Sequence, residues 1–253
     1  VVAQWTGVAI MVVIVTLKYR KSLVSVSLKE VMDLSAMKEF FAINGDIIIR
    51  TFCLVAVYTF FTKASADTGD TNILAVNTIL LQLFTLFSYM NDGFAYAAEA
   101  LTGRFIGAHD GASLRRCIKL CLIWCFAVSF IFIGIYIGWW RDIFTLLVNP
   151  EQGDSAVLLS VAEQYIGWII AIPLAAAMPF VMDGIMVGAT RSRIMRNSMV
   201  WSSVCYFALL YGTGWLIGNN AIWLAFTSFM FLRGVFQYFM SNRLKDIYSD
   251  ADR

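Results

Sequence analysis

Between Arg196 and Arg233 the chain runs for 36 residues without a charged side chain. A helix that crosses a membrane needs about 20 predominantly apolar residues. The stretch is too long for one such helix, and Gly218-Asn219-Asn220 divides it into two. Composition points the same way: 60% of the 253 residues are apolar and only 14% are charged, against roughly 25% charged in soluble proteins. A soluble bundle of this size could not clothe its surface with so few charges, and lipid as solvent removes the difficulty. The expected fold class is all-α, a polytopic membrane helix bundle of about seven transmembrane helices.

The remaining apolar runs fall at 1–17, 43–62, 73–103, 120–138 and 157–189, the last with Pro173 and Pro179 inside it. Residues 18–42 form a linker. Within it Leu28, Val31, Met32, Met37, Phe40 and Phe41 alternate with charges from Ser22 to Phe41, which predicts a short amphipathic helix on the membrane surface. Lys63 to Asn72 reads as a polar turn. Trp139-Trp140-Arg141-Asp142 is an interfacial signature, after which 143–148 is expected to lie along the surface. Residues 43–240 hold six spans, and 241–253 form a polar tail.

Basic residues test the topology, because they concentrate in cytoplasmic loops. Alternate loops carry 15 of the 19 Lys and Arg residues, while the opposite loops hold only Lys63 and Arg141. This places the C-terminus in the cytoplasm and Val1 outside. The chain starts with neither Met nor a basic leader segment, so the expectation is the back portion of a longer protein.

Ionisable residues inside a bilayer are costly and are functional candidates by default. Asp92 and Glu99 repeat with Thr78 and Thr85 every seven residues, on one helix face joined by Tyr96. Asp183 follows Pro179, on the same face as Tyr165. A proline frees a carbonyl one turn earlier and makes local cation ligation feasible. Asp183, Asp92 and Glu99 are therefore the candidates for ion or proton coupling, and Tyr96, Phe180 and Tyr165 for the substrate cavity. Asp46 and Arg50, four apart, are expected to form a structural ion pair within one helix.

Other chemistries find little support. A net charge of +2 gives no basic field for nucleic acid. Cys117, Cys121 and Cys125 line one helix face, which suits packing better than metal binding. No nucleotide loop, nucleophile–base pair or metal-ligand cluster is evident, so no enzyme activity, catalytic residue, metal site or cofactor is expected. Gly134 with Gly138, and Gly214 with Gly218, have the spacing for close helix approach.

The segments Asn44-Gly45-Asp46-Ile47-Ile48-Ile49-Arg50-Thr51, 91–103 (NDGFAYAAEALTG) and 182–191 (MDGIMVGATR) together resemble the multidrug and toxic compound extrusion (MATE) family. The likeness is closest to its branch of DNA-damage-inducible efflux proteins. It implies twelve helices in two six-helix lobes, of which this chain would be the last helix of the N-terminal lobe plus the six-helix C-terminal lobe. It also implies a secondary antiporter exporting toxic or drug-like organic compounds in exchange for H+ or Na+, in the bacterial plasma (inner) membrane, by alternating access. The family's acidic position in the fourth helix of the second lobe falls on Asp183. A glutamate that sodium-coupled members carry in the first helix of that lobe has no counterpart in 51–62.

The expected partners are membrane lipid, small amphipathic or cationic substrates and the missing N-terminal lobe, with no nucleic acid. One alternative is a lipid-linked saccharide flippase of the same superfamily, which needs several arginines facing its cavity; only Arg50 and Arg233 are at hand. A second is a seven-helix receptor or sensor, although the final span lacks the Schiff-base lysine of a retinal pigment. A third is a folding module without transport of its own.

Overall fold

The computed structural model describes residues 1–23, 34–148, 155–242 and 244–252. Its elements are α1 (Val2–Leu23), α2 (Leu34–Asp67), α3 (Thr71–Gly107), α4 (Gly111–Leu147), α5 (Ser155–Glu163), α6 (Ile166–Gly188), α7 (Ser192–Ile217), α8 (Asn219–Met240) and α9 (Lys245–Ala251). Among the described residues six helices are long and apolar enough to cross a membrane, and Val2–Lys18 is a shorter apolar helix. The chain divides into two compact units, 1–44 and 45–253.

In the first unit, two hydroxyls of α1 are satisfied within the helix. Thr6 and Thr16 donate to the carbonyls of Val2 and Val12, one turn back, at 2.9 and 2.7 Å. Such back-bonding satisfies a hydroxyl where no water can. The amphipathic surface helix expected over 22–41 lies largely outside the described residues. Its end, from Leu34, is already part of the continuous α2.

In the second unit, α6 is the central post. It packs against α3, α4, α7 and α8, and 67% of its apolar window is buried, the largest share of any span. The reason is the small residues on its flanks. A side chain on Gly184 would strike the backbone carbonyl of Ala95, and one on Gly188 that of Glu99. On the other side, a Cβ on Gly234 of α8 would come within 2.9 Å of the Pro179 ring. Lipid tails are as apolar as leucine, so helices in a membrane associate through close packing and hydrogen bonds. The small-residue pairs expected to do this, Gly134/Gly138 and Gly214/Gly218, have open space around them instead.

Three other expectations change. The run 157–189 is not one helix: it breaks at Gln164–Tyr165 into α5 and α6, although neither glycine nor proline marks the break. Helix α5 packs on α3, and Tyr165 is buried among its core residues. Tertiary packing thus imposes a bend that local propensity does not announce. Residues 143–147, expected along the surface, continue α4 instead, and α2 runs through Lys63 to Asp67. Helices α3 and α4, at 37 residues each, exceed the roughly 30 Å hydrocarbon layer, since each residue adds about 1.5 Å. Backbone hydrogen bonding does not stop at the lipid boundary, so hydropathy underestimates their ends.

Polar side chains pin the unit where hydropathy is lowest. Asn77 of α3 donates to Ser65 and Asn219 at 2.8 and 2.6 Å, and its carbonyl accepts from the Trp223 indole at 2.9 Å. The chain turns into α8 just before this cluster, at Gly218, whose φ of 56° favours a residue without Cβ. Beneath it Phe61, Trp223, Phe226 and Phe84 meet edge to face, with centroids 4.9–5.3 Å apart in the Phe61–Trp223, Phe61–Phe226 and Phe84–Phe226 pairs. At the start of α4, Asp110 accepts from the Ser113 amide at 2.9 Å, and hydrogen bonding from the Ser113 hydroxyl and amide lowers its pKa.

These contacts set a test. Replacing Gly184 or Gly188 by Ala should lower stability by about 1–3 kcal/mol, because the α3–α6 contact has no room for a methyl group. Gly134→Ala, facing open space, should be neutral or stabilising by about 0.5–1 kcal/mol. Thermal unfolding in detergent compares the three.

Candidate functional site

Three helices converge on Asp183. It is buried on α6, one turn beyond Pro179. Arg50 of α2 donates to its Oδ2 at 2.5 Å, and Gln237 of α8 donates to its Oδ1 at 2.5 Å. Arg233, one turn before Gln237 and only 3% exposed, brings a second guanidinium to 3.4 Å from Oδ2. That guanidinium also lies 5.6 Å from the ring centre of Phe180. Asp183 is thus a junction that compensates one buried and one half-buried cation, with both its oxygens engaged.

Beside this junction opens a cavity of about 310 Å³. Asp92, Tyr96 and Glu99 of α3 line it together with Tyr58, Phe180 and the Arg50–Asp183–Arg233 group. The heptad spacing of α3 therefore does present its acids to a shared interior. Asp92 and Glu99 differ from Asp183 in one respect: among the described residues neither makes an ion pair or a side-chain hydrogen bond. Thr78 and Thr85, higher on the same stripe, spend their hydroxyls on the carbonyls of Leu74 and Leu81. Tyr165 does not join this cavity. It lines a separate pocket of about 500 Å³ with Phe60, Lys63 and Tyr211, because it caps the N-terminus of α6, roughly five turns, or about 27 Å, from Asp183.

The expected Asp46–Arg50 pair is corrected. Asp46 accepts from Ser192 at 2.7 Å and from Arg196 at 2.5 Å, both on the first turns of α7. Arg50 turns to Asp183 instead. Spacing of four makes an intrahelical pair feasible, worth about 0.2–0.5 kcal/mol. A counter-charge on a neighbouring helix satisfies a buried group better and holds two helices together as well.

Sequence reasoning missed Gln237, Tyr58, Ser192 and Arg196 as members of these clusters. Two of the pairs carried a signal: Arg233 and Gln237 lie four apart in a span otherwise almost free of strong donors, and Ser192 and Arg196 share the same spacing. Among the described residues no cluster of His, Cys, Asp and Glu is arranged to hold a metal ion. Cys117, Cys121 and Cys125 are buried and unlinked on α4, where the Cys125 thiol donates to the Asn91 side-chain oxygen at 2.7 Å.

The junction predicts an asymmetry. Asp183→Asn leaves Arg233 buried without its counter-ion and should cost about 3–5 kcal/mol. Asp183→Leu combined with Arg233→Met removes both charges and should recover part of that loss. Unfolding midpoints in detergent, measured on the single and double variants, check the coupling.

Comparison with known proteins bears on what such a cavity is for. The sequence profile of the MatE family matches residues 48–212, which takes in α2 beyond its first turns and most of α7. DNA damage-inducible protein F of Escherichia coli (strain K12) is 34% identical over 198 residues, covering 78% of this chain and 42% of that protein. The chain thus spans less than half the length of this relative. No solved structure matches. With its multi-pass helical bundle and a profile match over well more than half its length, the chain belongs to the MatE family of multidrug and toxic compound extrusion (MATE) membrane transporters.

Proposed function

We propose that this chain is the C-terminal part of a secondary antiporter that exports drug-like or toxic organic compounds in exchange for H+ or Na+. In this reading residues 1–17 are the last transmembrane helix of the N-terminal lobe, residues 18–42 link the lobes, residues 43–240 form the six-helix C-terminal lobe, and residues 241–253 are a cytoplasmic tail. The protein resides in a bacterial inner membrane. The lobes rock about a central cavity, and no covalent chemistry is involved.

The observation that supports this most is the uneven charge of the cavity: three carboxyl groups, Asp92, Glu99 and Asp183, face two guanidiniums, Arg50 and Arg233. Both guanidiniums are taken up by Asp183. The excess carboxyl groups stand beside Tyr58, Tyr96 and Phe180, whose ring faces suit a flat organic cation. The division of labour follows from partners. Asp183 anchors the cations, and Asp92, closer to the junction than Glu99, is the group that exchanges the coupling ion for substrate. A flippase for lipid-linked saccharides would need its arginines free for pyrophosphate, and Arg50 and Arg233 are not free.

Asp92→Asn in the full-length transporter should lower cation-driven dye efflux about tenfold or more, within the range of a coupling free energy of about 1–3 kcal/mol. Expression and unfolding should stay near those of the parent, since among the described residues Asp92 makes no hydrogen bond or ion pair to another helix. Undiminished efflux would remove Asp92 from the exchange step.

A further inference from the structure

The uncharged run of α4 from Leu120 to Trp140 is 21 residues, a length of about 31 Å that matches the hydrocarbon layer. Lys119 stands at the edge of this run, and Arg116 lies one turn beyond it. Both are therefore at the level of the lipid headgroups. Both are exposed, and among the described residues neither makes an ion pair or hydrogen bond. Their neighbour Arg115 is different: it is bound at two points, each 3.0 Å, by Asp252, which caps the end of α9.

Beneath each free cation runs an apolar groove. Below Arg116, α3 and α4 enclose about 310 Å³ between Phe94, Leu101, Phe105, Leu120 and Trp124. Below Lys119, a second groove of about 420 Å³ follows the adjoining flank of α4 past Leu122, Ile123, Phe126 and Phe130. Both patterns step by three and four residues, so each groove runs along the helix, toward the membrane interior. Arg116 and Lys119, three apart, are neighbours at the top of the two grooves.

We propose that this face of α4 is a binding site for an anionic phospholipid. Its phosphate sits between Arg116 and Lys119, and its acyl chains lie in the two grooves. Charge complementarity selects the occupant. A zwitterionic lipid offers the same chains but no net charge to two unpaired cations. A free anion gains nothing from the grooves. Basic pockets beside membrane helices recognise anionic headgroups in this way. The site uses none of the residues that line the Asp183 cavity, so it stands independently of the exchange mechanism.

Native mass spectrometry of the full-length transporter tests it, with phosphatidylglycerol and phosphatidylcholine of identical chains as probes. Two surface cations, each contributing about 1 kcal/mol, give an expected preference for phosphatidylglycerol of about 30-fold. Arg116→Ala with Lys119→Ala should bring the two lipids to parity. Both side chains are exposed, so the variant should fold. Arg193→Ala, an exposed cation elsewhere on the protein, should leave the preference intact. Leu120→Trp, which fills a groove, should weaken both lipids together. A preference that survives the double substitution overturns the proposal. So does equal erosion by Arg193→Ala, which would mark a diffuse field, and so does full displacement by inorganic phosphate, which would leave the grooves without a role.

Discussion

An aspartate in the interior of a membrane bundle persists only where cations and amide donors reach it from other helices. Asp183 meets that condition through Arg50 of α2 and through Arg233 and Gln237 of α8. The same contacts tie α2 and α8 to α6, which also packs on its neighbours through Gly184 and Gly188 and through buried apolar side chains such as Met182, Ile185 and Met186. The cavity owes its place to this junction: the side chains that converge on Asp183 also form one of its walls. Replacing the junction by apolar residues could preserve the bundle, but it would erase the polar wall against which Asp92 and Glu99 stand.

Around that centre the helices are held by contacts of different hardness. Gly184 and Gly188 bring the α3 and α6 backbones together with no room for adjustment. Asn77, Asn219 and Trp223 fasten one end of the lobe, and Asp46, Ser192 and Arg196 fasten the other. The cavity lies between these two fixed ends, where α3 contributes an unpaired acidic stripe. Under the proposed exchange mechanism this distribution has a use: rigid fastenings would let the unit move as one body, while the carboxyl groups without partners among the described residues would be available to a passing ion.

The reading of the sequence succeeded where one helix alone decides the outcome. Heptad spacing on α3 placed Asp92, Tyr96 and Glu99 on a common face, and they line one cavity. The break at Gly218 followed from a residue suited to positive φ. It failed where the answer depended on a second helix. Asp46 and Arg50 looked like partners because spacing along a chain shows only what lies within one helix, yet each has a better counter-charge across an interface. The glycine pairs chosen by spacing face open space, whereas Gly184 and Gly188, in a segment noted for its acid, make the close approach. Tyr165 was assigned to the wrong pocket because sharing a helix face with Asp183 says nothing of height along the axis, where roughly five turns separate them.

The amino-acid sequence by itself determined that the chain is a bundle of membrane-crossing helices, roughly where each crosses, and which few charges lie within them. These follow from the energy of transferring side chains and backbone from water to lipid, which is summed along the chain residue by residue. Only the tertiary structure decided which acid meets which arginine, which glycines touch, and which carboxyl groups remain unpaired. Those outcomes depend on distances between helices, and the order of residues along a chain does not encode such distances one helix at a time.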